Sequence, residues 1–272
     1  MAAPLKQPPI LTHKDHAAPS VFTVENLLRE ARRQKSIPEG KIPELCILDP
    51  DGDIVQYLLE TGQAQINPYW ACYHTRLYNF VHEGIEFGIF GCAVGASFAV
   101  LVAEEMFASG CKLLISMTSA GQIVSKGKTP YFVLIERALR DEGTSYHYLP
   151  PASYSSMRPE LIECLRGILK QSPPAVFIGA TWTTDAPFRE TETAIAYCTL
   201  EGILGVEMEA AALYAFAEAK RQQVICFAHI TNQMGNIEND FEKGAEGGSR
   251  DALQLIAQAA KGWLNSLDLI QK

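Results

Sequence analysis

The sequence predicts an α/β protein, a sheet of strands covered on both faces by helices. Three observations carry that expectation. From residue 45 onward, short apolar runs of strand length alternate with helix-length segments. Runs such as Leu45-Cys46-Ile47-Leu48 are apolar throughout, as strands buried on both faces are. No break in composition separates two halves, so one main domain is expected.

The elements follow in order. Residues 1–20 are rich in Pro and Ala and read as an irregular arm. Residues 21–35 read as a helix, with Val21, Phe22, Val24, Leu27, Leu28 and Ala31 apolar and Arg29, Arg32 and Arg33 outward. A strand at 45–48 runs into the acidic turn Asp49-Pro50-Asp51-Gly52-Asp53, and a helix continues to Leu59. A strand at 86–90 leads through the loop Gly91-Cys92-Ala93-Val94-Gly95 into a helix at 97–107. A strand at 112–117 is expected to end in a loop, Thr118-Ser119-Ala120-Gly121. Strands at 131–135 and 175–180 flank a helix at 161–169. A helix at 191–199, a short strand at 203–206, an alanine-rich helix, a strand at 224–230 and a final helix at 247–267 complete the order.

Composition narrows the function classes. The chain has 272 residues, 47% hydrophobic and 20% charged, ordinary for a globular protein. Its 31 acidic against 23 basic residues, net −8, argue against a nucleic-acid-binding surface. No apolar run reaches the roughly 18 residues that span a bilayer, and the first residues lack the apolar core of a signal peptide. The seven cysteines (Cys46, Cys72, Cys92, Cys111, Cys164, Cys198, Cys226) show no C-x-x-C spacing and read as small hydrophobes in a reducing cytoplasm. No histidine pair has metal-ligand spacing, and no metal site is expected. G-x-G-x-x-G, Walker and G-x-S-x-G patterns are absent.

The segment Glu207-Met208-Glu209 places two carboxylates where a short apolar strand meets a helix. Two readings stand. They are acids at the positive end of a helix dipole, or they accept hydrogen bonds from paired hydroxyls such as a sugar ring offers. Four strand ends with glycine or polar residues (49–53, 91–95, 118–121 and 207–209) point to one shared cavity at the carboxyl edge of the sheet. His229, inside an apolar strand, reads as a core histidine. Asn232, just past that strand, has an amide suited to a nucleobase edge or to a turn.

Gly202-Ile203-Leu204-Gly205-Val206-Glu207-Met208-Glu209-Ala210-Ala211 resembles the signature of the purine nucleoside phosphorylase/uridine phosphorylase family, on its uridine-phosphorylase-like branch. The spacing from Thr184-Asp185, the run Val94-Gly95-Ala96-Ser97, the strand ending Thr118-Ser119-Ala120-Gly121 and the segment Thr144-Ser145-Tyr146-His147-Tyr148 are similar in the same order. The resemblance extends from about Leu45 to the end. It implies a three-layer α/β/α sandwich with a central mixed, partly barrel-like sheet spanning 41–272, preceded by an arm and helix at 1–40. It implies cleavage of a nucleoside's N-glycosidic bond, by default phosphorolysis to free base and ribose 1-phosphate, in a homo-oligomer that is a dimer or a trimer of dimers. No cofactor is implied beyond inorganic phosphate as co-substrate.

Carried over residue by residue, the resemblance puts Glu207, Met208 and Glu209 on the ribose, with Glu209 stabilising the cation that develops there. Phe188, Arg189, Gly121 and Asn232 fall at the base, and Asn232 faces it as it departs. An amide there favours a 6-oxopurine or a pyrimidine over adenosine. Arg189 also fits an exposed ion pair. Val94 and Gly95 supply loop backbone. His13 and His16 fall in the arm, where some members send a histidine to a neighbour's ribose.

The nucleophile end departs from the pattern. Pro50, Ile54 and Ser116 stand where phosphorylases of the family carry a glycine and two arginines, and Ser119 alone matches as a phosphate donor. Asp49, Asp51 and Asp53 would repel a phosphate dianion. One expectation keeps phosphate, held by Ser119, backbone amides and Arg76 of a neighbouring subunit. Another makes water the nucleophile, with Asp51 or Asp53 as general base. A third is a member that binds a nucleoside without cleaving it.

Overall fold

The computed structural model describes residues 7–169, 174–235 and 238–270. Ten strands form one sheet: β1 (Leu45–Asp49), β2 (Gln65–Ile66), β3 (Tyr78–His82), β4 (Ile85–Gly91), β5 (Leu113–Gln122), β6 (Tyr131–Asp141), β7 (Tyr154–Ser156), β8 (Val176–Thr184), β9 (Gly205–Glu207) and β10 (Val224–Asn232). Their order is β10-β6-β8-β9-β5-β1-β4-β3-β2, β7 pairs with β6 beside this path, and β10 also pairs with β5. That extra pairing closes β5, β10, β6, β8 and β9 into a five-stranded barrel, from which β1, β4, β3 and β2 extend as an open wing. The mixed, partly barrel-like sheet expected from the sequence is therefore present.

Seven α-helices cover the sheet: α1 (Val24–Lys35), α2 (Asp53–Glu60), α3 (Ala96–Ala108), α4 (Pro159–Leu169), α5 (Glu192–Leu200), α6 (Ala210–Lys220) and α7 (Ser249–Ile270). Six of them form two groups, α3 packing on α1 and α6, and α7 on α2 and α4. Local chemistry sets their ends. The Thr23 hydroxyl accepts from the Asn26 amide at the start of α1, and Arg32, Arg33 and Lys35 sit in its last turn, where the dipole favours cations. Helix α6 is buried from Ala210 to Ala217 because small side chains let it approach the sheet closely. The one large polar side chain of that buried stretch, Tyr214, is satisfied: the phenol donates to the Ile135 carbonyl (2.5 Å) and accepts from the Cys226 amide (3.1 Å).

Two sequence expectations are revised. Strand β5 does not stop at Met117 but runs to Gln122, so Thr118 to Gly121 are strand, not loop. Barrel closure is the reason: β5 pairs with β10 as far as Gly121 and with β9 at Gly121 and Gln122. The described part of the arm, residues 7–20, forms one 3₁₀ turn (Pro9–Leu11) and is docked. The His16 ring nitrogen donates to the Tyr146 carbonyl and the Lys14 ammonium to the His147 ring, which places His13 and His16 away from the carboxyl-edge cavity of their own chain. No helix among the described residues is long and apolar enough to cross a membrane.

Candidate active site

A cavity of about 350 Å³ opens at the carboxyl ends of β1, β5, β9 and β10, the edge at which ligands of α/β sheets bind. Its wall includes Asp51, Val94, Thr118, Ser119, Gly121, Phe188, Met208, Glu209 and Asn232. Residues from all four strand ends singled out in the sequence thus converge. A larger recess, about 580 Å³, lies elsewhere, beside Arg140, Tyr146, Trp182 and Tyr197. It is a weaker candidate, because Arg140 is tied to Ser145 and to the carbonyls of Leu149 and Pro150.

Glu209 is the centre of the smaller cavity. It is 2% exposed, and its carboxyl accepts from the Gly95 amide (2.7 Å), the Thr118 hydroxyl (2.9 Å) and the Met208 amide (3.3 Å). Gly95 reaches it with φ of +100°, a conformation glycine adopts without a steric penalty. Three donors leave one of about four acceptor positions for a ligand hydroxyl. Burial, and then the charge of Glu207, push Glu209 up to about 8.

Glu207, expected on the ribose, lines the same cavity, but its carboxyl is engaged by the protein. One oxygen accepts from the hydroxyls of Thr181 (3.0 Å) and Thr183, the other from the amides of Glu209 and Ala210 (both 2.7 Å). All its acceptor positions are filled by the protein. It ties β8 to the start of α6 and holds Glu209 in place. Burial raises its affinity for a proton as well.

At the base end, the amide orientation of Asn232 is fixed. Its oxygen accepts from the Met234 amide (3.0 Å), and its nitrogen donates to Thr231 (3.2 Å). A backbone N–H requires an oxygen opposite it, so the second hydrogen on Nδ2 is the group offered to a ligand. Gly121 is required beside it: a Cβ there would lie 2.6 Å from the Met234 sulfur and 3.2 Å from the Asn232 oxygen. Phe188 stands at the mouth, 99% exposed. Arg189 is exposed and does not line the cavity. The next residue, Glu190, does, because the single 3₁₀ turn Pro187–Arg189 turns it inward. Burial raises the Glu190 carboxyl above its ordinary range.

At the nucleophile end, the Asp51 carboxylate accepts from the Ser119 amide (2.9 Å). Asp49 is buried, caps α2 by accepting from the Val55 amide (2.9 Å), and is raised to about 7 by burial. Asp53, expected as an alternative base, does not line the cavity. It is ion-paired with Lys243. Arg76 is exposed and outside its own chain's cavity. No Lys or Arg lines the cavity among the described residues. His229 stacks on Phe132 (centroids 4.4 Å apart) and is lowered to about 4 by burial, as a core histidine would be.

The sequence reading missed Thr118, Glu190, Met234, Phe241 and Lys243. Thr118 was within reach, since it lies in a segment already singled out. Lys243 was not, because its partner is 190 residues away.

With this geometry in place, comparison with known proteins decides the family: residues 45–261 match the phosphorylase superfamily. The chain belongs to that superfamily. It is 23% identical over 217 residues to a guanosine phosphorylase from Halorubrum lacusprofundi, covering 77% of this chain and 86% of that one. Its fold is similar to the uridine phosphorylase of Vibrio fischeri in complex with 6-hydroxy-1-naphthoic acid, with a TM-score of 0.69 at 20% identity over 83% of this chain and 92% of the other. It is equally similar to the AMP nucleosidase of Bacteroides thetaiotaomicron, with a TM-score of 0.69 at 17% identity over 90% and 100% of the two chains. Proteins that share this fold thus include both a phosphorylase and a nucleosidase.

Proposed function

We propose that this protein cleaves the N-glycosidic bond of a 6-oxopurine nucleoside with water as the nucleophile. The observation that carries the choice of water is the Asp51–Ser119 contact: a carboxylate occupies the amide that an anionic nucleophile would use. Water placed beside Asp51 gives up its proton to that carboxylate as its oxygen bonds to C1′. The bond from C1′ to the base nitrogen breaks, and its electron pair leaves with the base, which takes a proton. Positive charge on the ribose is stabilised by ionised Glu209. Asn232 donates from Nδ2 to the base as negative charge builds there. The products are free base and free pentose.

The base class rests on Asn232 and Glu190. A donor from Asn232 suits O6 or N7 of a 6-oxopurine, and a carboxylate at Glu190 suits the N1–H and 2-amino donors of guanine. The guanosine phosphorylase relative supports the same base. That relative, and the presence of Lys243 near Asp51, favour a second reading in which phosphate attacks instead. We further propose a homo-oligomer, dimer or trimer of dimers, with Arg76 of one copy beside the nucleophile end of the next; exposed Phe188 and Val94 at the cavity mouth support an adjoining copy, and sedimentation tests it.

The test is to incubate the protein with guanosine, inosine and uridine, with and without phosphate, and to identify both base and sugar. Base release indifferent to phosphate, with free pentose formed, is expected. Release that requires phosphate and yields pentose 1-phosphate would overturn the choice of water. Binding without release from any nucleoside would overturn cleavage. Asp51→Asn, which can still accept from Ser119, should lower turnover by about 10²-fold.

A further inference from the structure

Lys243 is a cation within the field of the nucleophile-end carboxylates, and it is not free. Its ammonium is bonded to Asp53, the first residue of α2, and it is half-buried (side chain 29% exposed). Burial alone would favour the neutral amine. The hydrogen bond to Asp53 and the charges of Asp51, Asp53 and Asp49 outweigh it and hold the ammonium above its ordinary range. Lys243 is therefore a full positive charge within the field of Asp51, the carboxylate seated on the Ser119 amide.

The loop that carries Lys243 is fastened on both sides. Asp240, buried, accepts from the amides of Gln233 and Gly235 at the end of β10. Ser249, at the start of α7, donates to the Asp53 carbonyl. The same loop sends Phe241 into the cavity wall. The lysine is thus placed by three elements, β10, α2 and α7, and its distance from the cavity is set by Asp53. His229, facing Lys243, Asp51 and Asp53 from β10, stays neutral and adds no charge. Within this group three carboxylates, Asp49, Asp51 and Asp53, face one cation, so removing the charge of Asp53 both frees the lysine and reduces the excess of carboxylates.

We infer that the Lys243–Asp53 pair determines the nucleophile: Lys243 is the group through which the cavity would take inorganic phosphate, and Asp53 withholds it. The inference deepens the proposed function, and it stands or falls apart from the choice of water. With Lys243 released, a phosphate oxygen forms the bond to C1′, the bond from C1′ to the base nitrogen breaks, its electron pair leaves with the base, which takes a proton, and the product is pentose 1-phosphate. With Lys243 engaged, the same bond breaks and water supplies the oxygen.

Neutralising one carboxylate beside a dianion should change phosphate affinity at least tenfold, about 1.4 kcal/mol. The experiment uses the intact protein, guanosine and inorganic phosphate, and reads the apparent KM for phosphate and the fraction of pentose 1-phosphate. The variants are Asp53→Asn, Lys243→Met and the double variant. Asp53→Ser keeps a hydrogen-bonding oxygen at the start of α2 and replaces Asp53→Asn if that variant does not fold. Asp53→Asn is expected to lower the phosphate KM at least tenfold and raise the share of pentose 1-phosphate, and adding Lys243→Met is expected to abolish that gain. A folded Asp53 variant with the wild-type phosphate response, or a gain that survives loss of Lys243, would overturn the inference. If the wild type already requires phosphate, the reading of water as nucleophile fails, yet the same two comparisons still decide the role of the pair.

Discussion

Glu209→Gln isolates the charge that the proposed chemistry needs. Glutamine keeps the length of the side chain and an oxygen for the Gly95 amide, so the site keeps its shape and loses its negative charge. A unit charge about 4 Å from the cation on the ribose is worth about 4 kcal/mol at an effective dielectric constant of 20. Glu209 is raised to about 8, so at pH 7 ionising it costs about 1.4 kcal/mol of that gain. The remainder, about 2.6 kcal/mol, corresponds to roughly 10²-fold in kcat/KM at pH 7, approaching 10³-fold at pH 9. The assay is base release followed from pH 6 to 9. The wild type should rise about tenfold per pH unit and level off near 8, while Glu209→Gln stays flat. Stability runs the other way. A carboxyl whose folded pKa lies above its ordinary 4.5 is most stabilising to the fold below pH 4.5, and that stability is lost as pH rises through 8. Glu209→Gln should therefore be more stable than the wild type at pH 9 in chemical denaturation. A variant within threefold of the wild type at every pH, or one that keeps the wild-type slope, would refute the role given to Glu209.

Two other substitutions separate structure from chemistry. Glu207→Ala leaves four buried donors without an acceptor and removes the cap of α6, so it should cost about 3 kcal/mol and lower Tm by roughly 6–12 °C, read by calorimetry; an unchanged Tm would contradict its structural role. Asn232→Asp keeps an acceptor for the Met234 amide but replaces the ligand-facing donor with a carboxylate, so kcat/KM for guanosine should fall at least tenfold while that for adenosine does not; equal losses on both would remove Asn232 from base selection.

The sequence by itself determined the alternation of strands and helices, the apolar strands, and the place of Glu209 at a strand-to-helix junction. These are local properties: hydrophobic runs, helix ends and the order of residues along the chain specify them without reference to distant partners. It also identified Asp51, Ser119, Met208 and Asn232, because each lies at a strand end and strand ends share one edge of an α/β sheet. Tertiary structure alone decided which member of a neighbouring pair faces the cavity. Glu190 lines it and Arg189 does not, since one 3₁₀ turn rotates adjacent side chains to different sides. Both Glu207 and Glu209 line it, but Glu209 keeps an acceptor position open while Glu207 is consumed by threonines of β8, which only the pairing of β8 with β9 brings near. Asp53 is lost as a base because Lys243, 190 residues away in sequence, reaches it through the loop before α7. Charge balance at the nucleophile end is the sum over Asp49 of β1, Asp51 of the turn after it, Asp53 of α2 and Lys243 of that loop, and a sum over distant segments exists only once the chain has folded.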